Sequence, residues 1–258
     1  MLDALLGRLQ QKYRTMDYPD GPAPALPERF AGRPLIRSEL CSTSCRRCME
    51  VCPTRSILIS EKEKDRVRID LGGCLFCREC AAECPARAIH FSGEYRLAAS
   101  RREDLVVGSE PPRLAHALDD TRMRLFGKSL KLRQVSAGGC NGCEADINVL
   151  GTVGWDLGRF GIQFVASPRH ADGLLITGPV PENMRLGLLK TYEAVPAPKV
   201  VIVVGACAIS GGPFRDHPEV HNGSVDLLPV DLYVPGCPPH PLTILDGLLR
   251  FIGRIRDI

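Results

Sequence analysis

The sequence predicts an α/β protein in which a small, cysteine-rich α+β domain precedes a larger domain built on a parallel sheet. Eight of the twelve cysteines in the 258-residue chain lie between Cys41 and Cys84, in two runs that each end in Cys-Pro. From about Leu130 onward, short β-branched segments alternate with helical ones, which is typical of a parallel sheet covered on both faces. A chain of this length suits two domains, or one large domain with a small one attached.

The cysteine runs have the spacing of iron–sulfur ligands. The second run reads Cys-x2-Cys-x2-Cys-x3-Cys-Pro, which places three thiolates on one [4Fe–4S] cluster and the fourth on a neighbouring cluster. Two such runs belong together because each needs the last cysteine of the other, so we expect a two-cluster ferredoxin domain. The expected ligands are Cys41, Cys45, Cys48 and Cys84 for the first cluster and Cys52, Cys74, Cys77 and Cys80 for the second.

The first run departs from this spacing by one added residue between Cys41 and Cys45. An added residue in a ligand loop can bulge outward, so a cubane cluster is still expected there, with a potential that the altered loop can shift. Structural zinc is an alternative, although zinc sites favour two separated cysteine pairs. Disulfides need an oxidising compartment, and the N-terminal residues do not resemble a secretory signal.

The composition limits the partners of the chain. The formal net charge is +3, so no nucleic-acid footprint dominates. The apolar run Val200–Val204 is far shorter than the roughly twenty residues of a spanning helix. We therefore expect a soluble or peripheral protein that binds no nucleic acid.

The N-terminal residues predict a short helix and an arm. Leu2, Leu5, Leu6, Leu9 and Tyr13 recur at helical spacing, and residues 18–34 are rich in Pro and Gly. A helix this short is marginal alone, so its apolar stripe should pack on its own domain or on a partner subunit, with a membrane surface as the alternative.

The expected division of the chain is an N-terminal helix and arm (1–34), a ferredoxin domain (35–92), a connector (93–128) and a C-terminal domain (129–258). Short strands at 56–59 and 88–91 should follow the two Cys-Pro pairs, with a solvated hairpin at 61–68. The connector should hold one or two short helices, for example around 114–123.

The C-terminal domain should alternate strands and helices. Its expected strands are 130–135, 162–166, Gly173–Thr177, 199–204 and Leu232–Val234. Its expected helices are a whole or broken helix at 146–160, a helix at 182–192, and one that starts at Pro238-Pro239.

The four remaining cysteines each follow a predicted strand of this domain. Open parallel sheets bind their ligands beyond the carboxyl ends of the strands, so we expect the four thiolates to converge on a third metal site. The ferredoxin domain next to it favours another [4Fe–4S] cluster, with zinc or buried inert thiols as alternatives. The cysteines are Cys140 and Cys143 after the first strand, Cys207 after the fourth and Cys237 after the last.

Several segments resemble a known family. GGCNGCEADINVL, ASPRHADGLLITGP, VVGACAISGGPF and VPGCPPHP resemble the small, cluster-carrying subunit that membrane-bound group 4 [NiFe] hydrogenases share with respiratory complex I, over about residues 130–250. LPERFAGRP and the two cysteine runs resemble the two-cluster subunit of the same assemblies, so the chain looks like a fusion of both. The expected fold is therefore α/β, with an N-terminal α+β two-cluster ferredoxin domain joined to a C-terminal flavodoxin-like parallel-sheet domain.

The resemblance implies a function. Complex I enzymes carry two adjacent cysteines at the first ligand position, whereas Cys140-x2-Cys143 resembles the hydrogenase branch. By resemblance, the third cluster lies proximal to an active site in a separate large subunit, and three [4Fe–4S] clusters pass electrons between a donor protein and that subunit. Glu144 is expected to be a surface carboxylate or a neighbour of the ligands rather than part of a proton path.

The resemblance further implies a peripheral position on the cytoplasmic side of a membrane, next to complex I-like membrane subunits, with no catalytic residue in this chain. Two alternatives stay open. One is the equivalent subunit of a complex I-like quinone or ferredoxin oxidoreductase that lacks nickel, and the other is a zinc-stabilised binding scaffold.

Overall fold

A computed structural model describes residues 2–12, 14–42, 44–60 and 66–255 of the chain. In this part of the chain the helices are α1 (Leu2–Gln11), α2 (Arg47–Val51), α3 (Glu79–Ala82), α4 (Asp120–Phe126), α5 (Gly142–Val149), α6 (Glu182–Ala194), α7 (Ala206–Ser210) and α8 (Pro241–Phe251). The strands are β1 (Pro34–Ile36), β2 (Ile57–Ile59), β3 (Val67–Asp70), β4 (Ile89–Phe91), β5 (Val106–Val107), β6 (Leu130–Ser136), β7 (Ile162–Phe164), β8 (Gly173–Thr177), β9 (Val200–Val204) and β10 (Leu232–Val234).

The C-terminal part is a five-stranded parallel sheet in the order β10-β9-β8-β6-β7. Counted within this part, the order is 2-1-3-4-5, the flavodoxin-like arrangement. Alternate residues of β9 enter two different cores: Ile202 packs in the cluster that contains α8, and Val203 packs in the cluster that contains Leu188 of α6. The predicted parallel sheet covered on both faces is therefore confirmed.

The N-terminal part contains two small antiparallel sheets. β1 pairs with β4, and β2, β3 and β5 form a three-stranded sheet. β2 and β4 begin within one residue of the predicted strands because the residues after each Cys-Pro are apolar and β-branched. The hairpin between β2 and β3 is present, while its tip at 61–65 lies outside the described residues.

The two parts share one hydrophobic core. Ile69 and Leu105, from the N-terminal three-stranded sheet and the turn before β5, belong to the same buried cluster as Ile176 and Val203 of the parallel sheet. β5 comes from residues that we expected to connect two domains, and it pairs with β3 instead. The ferredoxin-like part is thus packed on the parallel sheet rather than tethered by a linker.

The connector helix is shorter and later than predicted. α4 begins at Asp120, where the Asp119 side chain caps it by accepting hydrogen bonds from the backbone N–H groups of Thr121 and Arg122. The preceding residues are extended because their amides bond elsewhere: Ala115 N donates to Ala98 O at 2.7 Å, and Leu118 N donates to Phe251 O at 3.0 Å. The prediction that this helix begins at about residue 114 was therefore wrong, because it begins at Asp120.

Two other helix starts also differ from the predictions. α5 begins at Gly142 rather than at residue 146, and a separate 3₁₀ turn at Leu157–Phe160 gives the broken form that the sequence allowed. α8 begins at Pro241 rather than at Pro238, because His240 Nδ1 caps the helix by accepting from Leu242 N at 3.1 Å.

The N-terminal arm is anchored on α8. Tyr18 is buried, and its hydroxyl donates to Asp246 Oδ1 at 2.7 Å. Arg250 Nε donates to the other carboxylate oxygen at 2.8 Å, and both charged side chains are at most 4% exposed. A buried charge is stable only when it is paired and hydrogen-bonded. The Tyr18 hydroxyl therefore supplies the Asp246 carboxylate with a donor that it would otherwise lack.

α1 behaves differently. Its leucines at positions 2, 5, 6 and 9 are 48–74% exposed, so they do not pack on the described part of their own chain, and packing on a partner subunit or a membrane surface stays a prediction. Tyr13, which we placed in the same stripe, lies outside the described residues. In the described ranges, no helix has the length and apolarity that a membrane crossing requires.

Replacing Tyr18 with Phe tests the anchor. We expect Tyr18→Phe to lower the free energy of unfolding by about 1–3 kcal/mol, because it leaves a buried carboxylate oxygen without its donor. Thermal denaturation followed by circular dichroism measures the loss. The control is Tyr192→Phe, since the Tyr192 hydroxyl has no hydrogen-bond partner among the described residues. Equal melting temperatures for the two variants would contradict the anchoring role.

Candidate metal centres

The first candidate site brings together the cysteines that the sequence assigned to the first cluster. Cys41, Cys45, Cys48 and Cys84 line one cavity with Ile36, Val67 and Ile89. Hydrogen bonds reach the sulfur atoms in the described residues: Ala88 N donates to Cys84 Sγ at 3.2 Å and Arg66 Nη1 donates to Cys41 Sγ at 3.5 Å. Thr43, within the loop that carries the added residue, lies outside the described residues.

The second candidate site has the same construction. Cys52, Cys74, Cys77 and Cys80 line a neighbouring cavity with Ile57, Ile69 and Phe91. Ser56 N donates to Cys52 Sγ and Phe76 N donates to Cys74 Sγ, each at 3.3 Å. The last cysteine of each run therefore lies with the first three of the other, which is the crossed grouping that the sequence predicts.

Burial determines the protonation of these thiols. Burial raises the pKa of Cys74 to about 12, and burial together with the neighbouring Cys77 raises that of Cys80 to about 12. Metals bind cysteine as the thiolate, so iron has to displace protons that these thiols hold at neutral pH. A free thiolate would therefore be costly at these two buried positions.

The third site is built at the carboxyl edge of the parallel sheet. Cys140 and Cys143 lie at the start of α5, Cys207 lies in α7, and Cys237 follows β10. Burial raises the pKa of Cys143, and the charges of the other three cysteines raise it further. Burial and the charges of Cys237 and Cys140 raise the pKa of Cys207 to about 12. All four cysteines follow strands at this edge of the sheet and their charges act on one another, while a shared cluster at this edge stays a prediction.

Gly205 makes room for this convergence. It has a φ of +92°, and a Cβ built on it would lie 2.5 Å from Cys143 Sγ. An L side chain would be strained by that backbone conformation and would collide with the sulfur atom. Cys143 can reach the other thiols only because position 205 is glycine.

Glu144 is a buried neighbour of the third site. Its Oε1 accepts hydrogen bonds from Ser136 Oγ and Thr177 Oγ1, both at 2.6 Å. Burial alone would raise the pKa of Glu144, but these two donors outweigh burial and hold the pKa below its usual range. Sequence reasoning missed Ser136 and Thr177, although both are the last residues of their strands, where ligand-binding side chains occur.

The second and third sites adjoin each other. Burial raises the pKa of Cys237, and the charges of Cys140 and of Cys77 from the second site raise it further. Leu75 and Phe76 line one groove together with the 235–238 loop that carries Cys237.

Two contacts hold this junction. Ser210 Oγ, at the end of α7, donates to Gly72 O at 3.1 Å. Arg102 donates to both carboxylate oxygens of Asp70, at 2.7 and 2.5 Å, and Asp70 Oδ1 also accepts from Gly72 N. The 72–77 loop is thereby fixed on the helix that carries Cys207.

The arrangement fits a multi-iron cluster. In each of the two N-terminal sites four thiols surround one small, mostly apolar cavity, which is the number of cysteines that a [4Fe–4S] cluster uses.

A substitution at Gly205 tests the third site alone. We expect Gly205→Ala to lower the iron content by roughly four atoms per chain, because the added methyl group displaces Cys143 Sγ. Gly187→Ala is the matched control, since a Cβ there meets nothing within 4 Å. Iron and sulfide analysis of anaerobically reconstituted chains measures the difference, and an unchanged iron content in Gly205→Ala would refute this reading of the site.

Two protein families match the chain. Residues 140–251 match the NADH ubiquinone oxidoreductase 20 Kd subunit family. Residues 40–88 match the 4Fe-4S dicluster domain. The first match contains all four cysteines of the third site, and the second contains all eight cysteines of the other two.

Individual relatives match about half of the chain. Formate hydrogenlyase subunit 7 of Escherichia coli is 45% identical over 135 residues, or 52% of this chain and 53% of that protein, so the chain spans about half the length of this relative. The probable membrane-bound hydrogenase subunit mbhJ of Pyrococcus furiosus is 42% identical over 51% of this chain and 79% of that protein. A NADH-quinone oxidoreductase subunit of Clostridium beijerinckii is 44% identical over 44% of this chain and 68% of that protein.

The fold and the two family matches agree on both parts of the chain. The chain belongs to the NADH ubiquinone oxidoreductase 20 kDa subunit family, and it carries a 4Fe-4S dicluster domain ahead of the family region.

Proposed function

We propose that this chain is the iron–sulfur electron-transfer subunit of a membrane-associated group 4 [NiFe] hydrogenase-like complex. The observation that carries the proposal is that two neighbouring cavities are each lined by four cysteines, while the remaining four cysteines follow strands at the carboxyl edge of the parallel sheet. Three [4Fe–4S] clusters bound there would supply one-electron transfer between a donor protein and the active site of a large subunit, where protons are reduced or hydrogen is oxidised.

The residues of this chain hold and tune the clusters. Backbone N–H groups donate to the sulfur atoms of Cys52, Cys74 and Cys84, and such bonds stabilise the reduced, more negative state of a cluster. The proposed ligand sets are Cys41, Cys45, Cys48 and Cys84; Cys52, Cys74, Cys77 and Cys80; and Cys140, Cys143, Cys207 and Cys237.

We infer that the second set lies between the other two, because Leu75 and Phe76 beside its cysteines line one groove with the loop that carries Cys237. The charge of Cys48, from the first set, raises the pKa of Cys80, and the charge of Cys77 raises that of Cys237. An electron donor would therefore meet the first set, and the large subunit would meet the third. No side chain of this chain is proposed as catalytic.

The proposed partner subunits rest on the names of the relatives. Their names place them in formate hydrogenlyase, in a probable membrane-bound hydrogenase and in NADH-quinone oxidoreductase. We propose a [NiFe] hydrogenase-like large subunit, complex I-like membrane subunits and a donor protein as partners, on the cytoplasmic side of the membrane.

A nickel-free quinone or ferredoxin oxidoreductase is the second candidate. The 44% identity to a NADH-quinone oxidoreductase subunit supports it. The Cys140-x2-Cys143 spacing favours the hydrogenase reading, because the complex I branch is expected to have adjacent cysteines there. The sequence of the partner large subunit would decide between the two candidates, because a nickel–iron centre needs two Cys-x2-Cys pairs in that subunit.

Metal analysis tests the cofactors. We expect about twelve irons and about twelve sulfides per anaerobically purified chain, because each cubane holds four of each. A content of about eight irons per chain would mean that one of the three cysteine sets holds no cluster. Zinc without sulfide would contradict the proposal and support a zinc-stabilised scaffold.

Replacing Cys237 with Ser tests the grouping of the ligands. We expect Cys237→Ser to remove the signal of the third cluster from low-temperature EPR spectra of the reduced chain, because that cluster loses one of its four thiolates. The signals of the two N-terminal clusters should remain. Cys84→Ser is the matched control and should affect the first cluster instead. Loss of all three signals in Cys237→Ser would contradict three separate sets.

A further inference from the structure

α1 is a helix without a packing partner in the described chain. All its residues are exposed apart from Gly7, which is half-buried, and Gln11, whose side chain is not described. Leu2, Leu5, Leu6 and Leu9 occupy positions i, i+3, i+4 and i+7, so they form one apolar face. Because isolated helices of ten residues are marginal in water, this one needs a surface to lie on.

Positive charge flanks the apolar face. Over residues 2–15 the chain has Arg8, Lys12 and Arg14 against a single acid, Asp3, which gives a net charge of +2. The Arg8 guanidinium donates to the Lys12 carbonyl at 3.0 Å, which places its charge at the end of the helix. Leucine on one face with arginine and lysine beside it is the pattern of a helix that lies in a membrane interface.

The segment that follows α1 is hydrogen-bonded to the parallel-sheet part next to an exposed valine. Thr15 Oγ1 donates to Val153 O at 2.8 Å, and Met16 N donates to Gly154 O at 3.0 Å. The Val153 side chain is 71% exposed. The segment that follows α1 is thus held beside an exposed apolar side chain of the parallel-sheet part.

We propose that α1 binds directly to an anionic lipid surface, with its leucines in the bilayer interface and its basic residues among the headgroups. An anionic bilayer matches both the apolar face and the sign of the flanking charge. The chain would then be attached to the membrane by its own helix as well as by any membrane subunits. This inference goes beyond electron transfer, because lipid binding requires no cluster.

Vesicle co-sedimentation of the full-length, iron-reconstituted chain tests the proposal. We expect binding to phosphatidylcholine vesicles that contain phosphatidylglycerol, and much weaker binding to phosphatidylcholine alone. Leu5→Gln with Leu6→Gln should lower the partition coefficient by about 100-fold or more, since two leucines lose their burial in the interface. Arg8→Gln with Lys12→Gln should lower it about 25-fold, at about 1 kcal/mol per basic residue.

Leu186→Gln is the matched control, because Leu186 is an exposed leucine on α6, 64% exposed, outside this face. It should bind vesicles like the unmodified chain. Iron content and melting temperature, measured on every variant, show that the body is intact and separate this test from that of the proposed function.

Failure of the unmodified chain to bind anionic vesicles would overturn the proposal. Equal binding by the Leu5/Leu6 variant would also overturn it. If that variant keeps its vesicle binding but no longer co-purifies with a subunit of its complex, α1 is a protein-docking helix rather than a lipid anchor.

Discussion

The arrangement depends on the packing of the 72–77 loop on α7. This contact brings the second cysteine set towards the third, because Cys74 and Cys77 lie in the loop and Cys207 lies in α7. Gly72 permits it, since a Cβ there would lie 2.8 Å from both Ile209 Cγ2 and Arg102 Cζ. The Asp70–Arg102 ion pair and the hydrogen bond from Ser210 Oγ to Gly72 O then fix the loop in place.

The shared hydrophobic core extends this contact into a rigid unit. Residues of β3 and of β8 and β9 lie in one buried cluster, so the two cluster-binding parts cannot move apart without exposing apolar surface. Joining both parts in one chain also removes an association step that separate subunits would need. Burial raises the pKa of Cys74 and of Cys207 to about 12, so each of these thiols has to lose a proton before it can bind a metal.

The sequence predicted the features that depend on local spacing. The crossed cysteine sets and the parallel sheet follow from ligand spacing and from strands alternating with helices. It did not predict β5, because a two-residue strand leaves no periodicity, or the late start of α4, which depends on backbone hydrogen bonds to distant residues. The buried partners of Glu144 were also missed, because Ser136 and Thr177 look like ordinary strand residues until the sheet pairs them.

The central claim is that three clusters lie next to one another within one chain, with the second in contact range of the third. EPR spectroscopy of the fully reduced chain tests this most directly, because neighbouring paramagnetic clusters broaden and split each other's signals. We expect the signal that depends on Cys237 to show magnetic interaction with a ferredoxin-domain cluster, and that interaction to disappear in Cys237→Ser. Spectra that are a simple sum of isolated cluster signals would contradict the account.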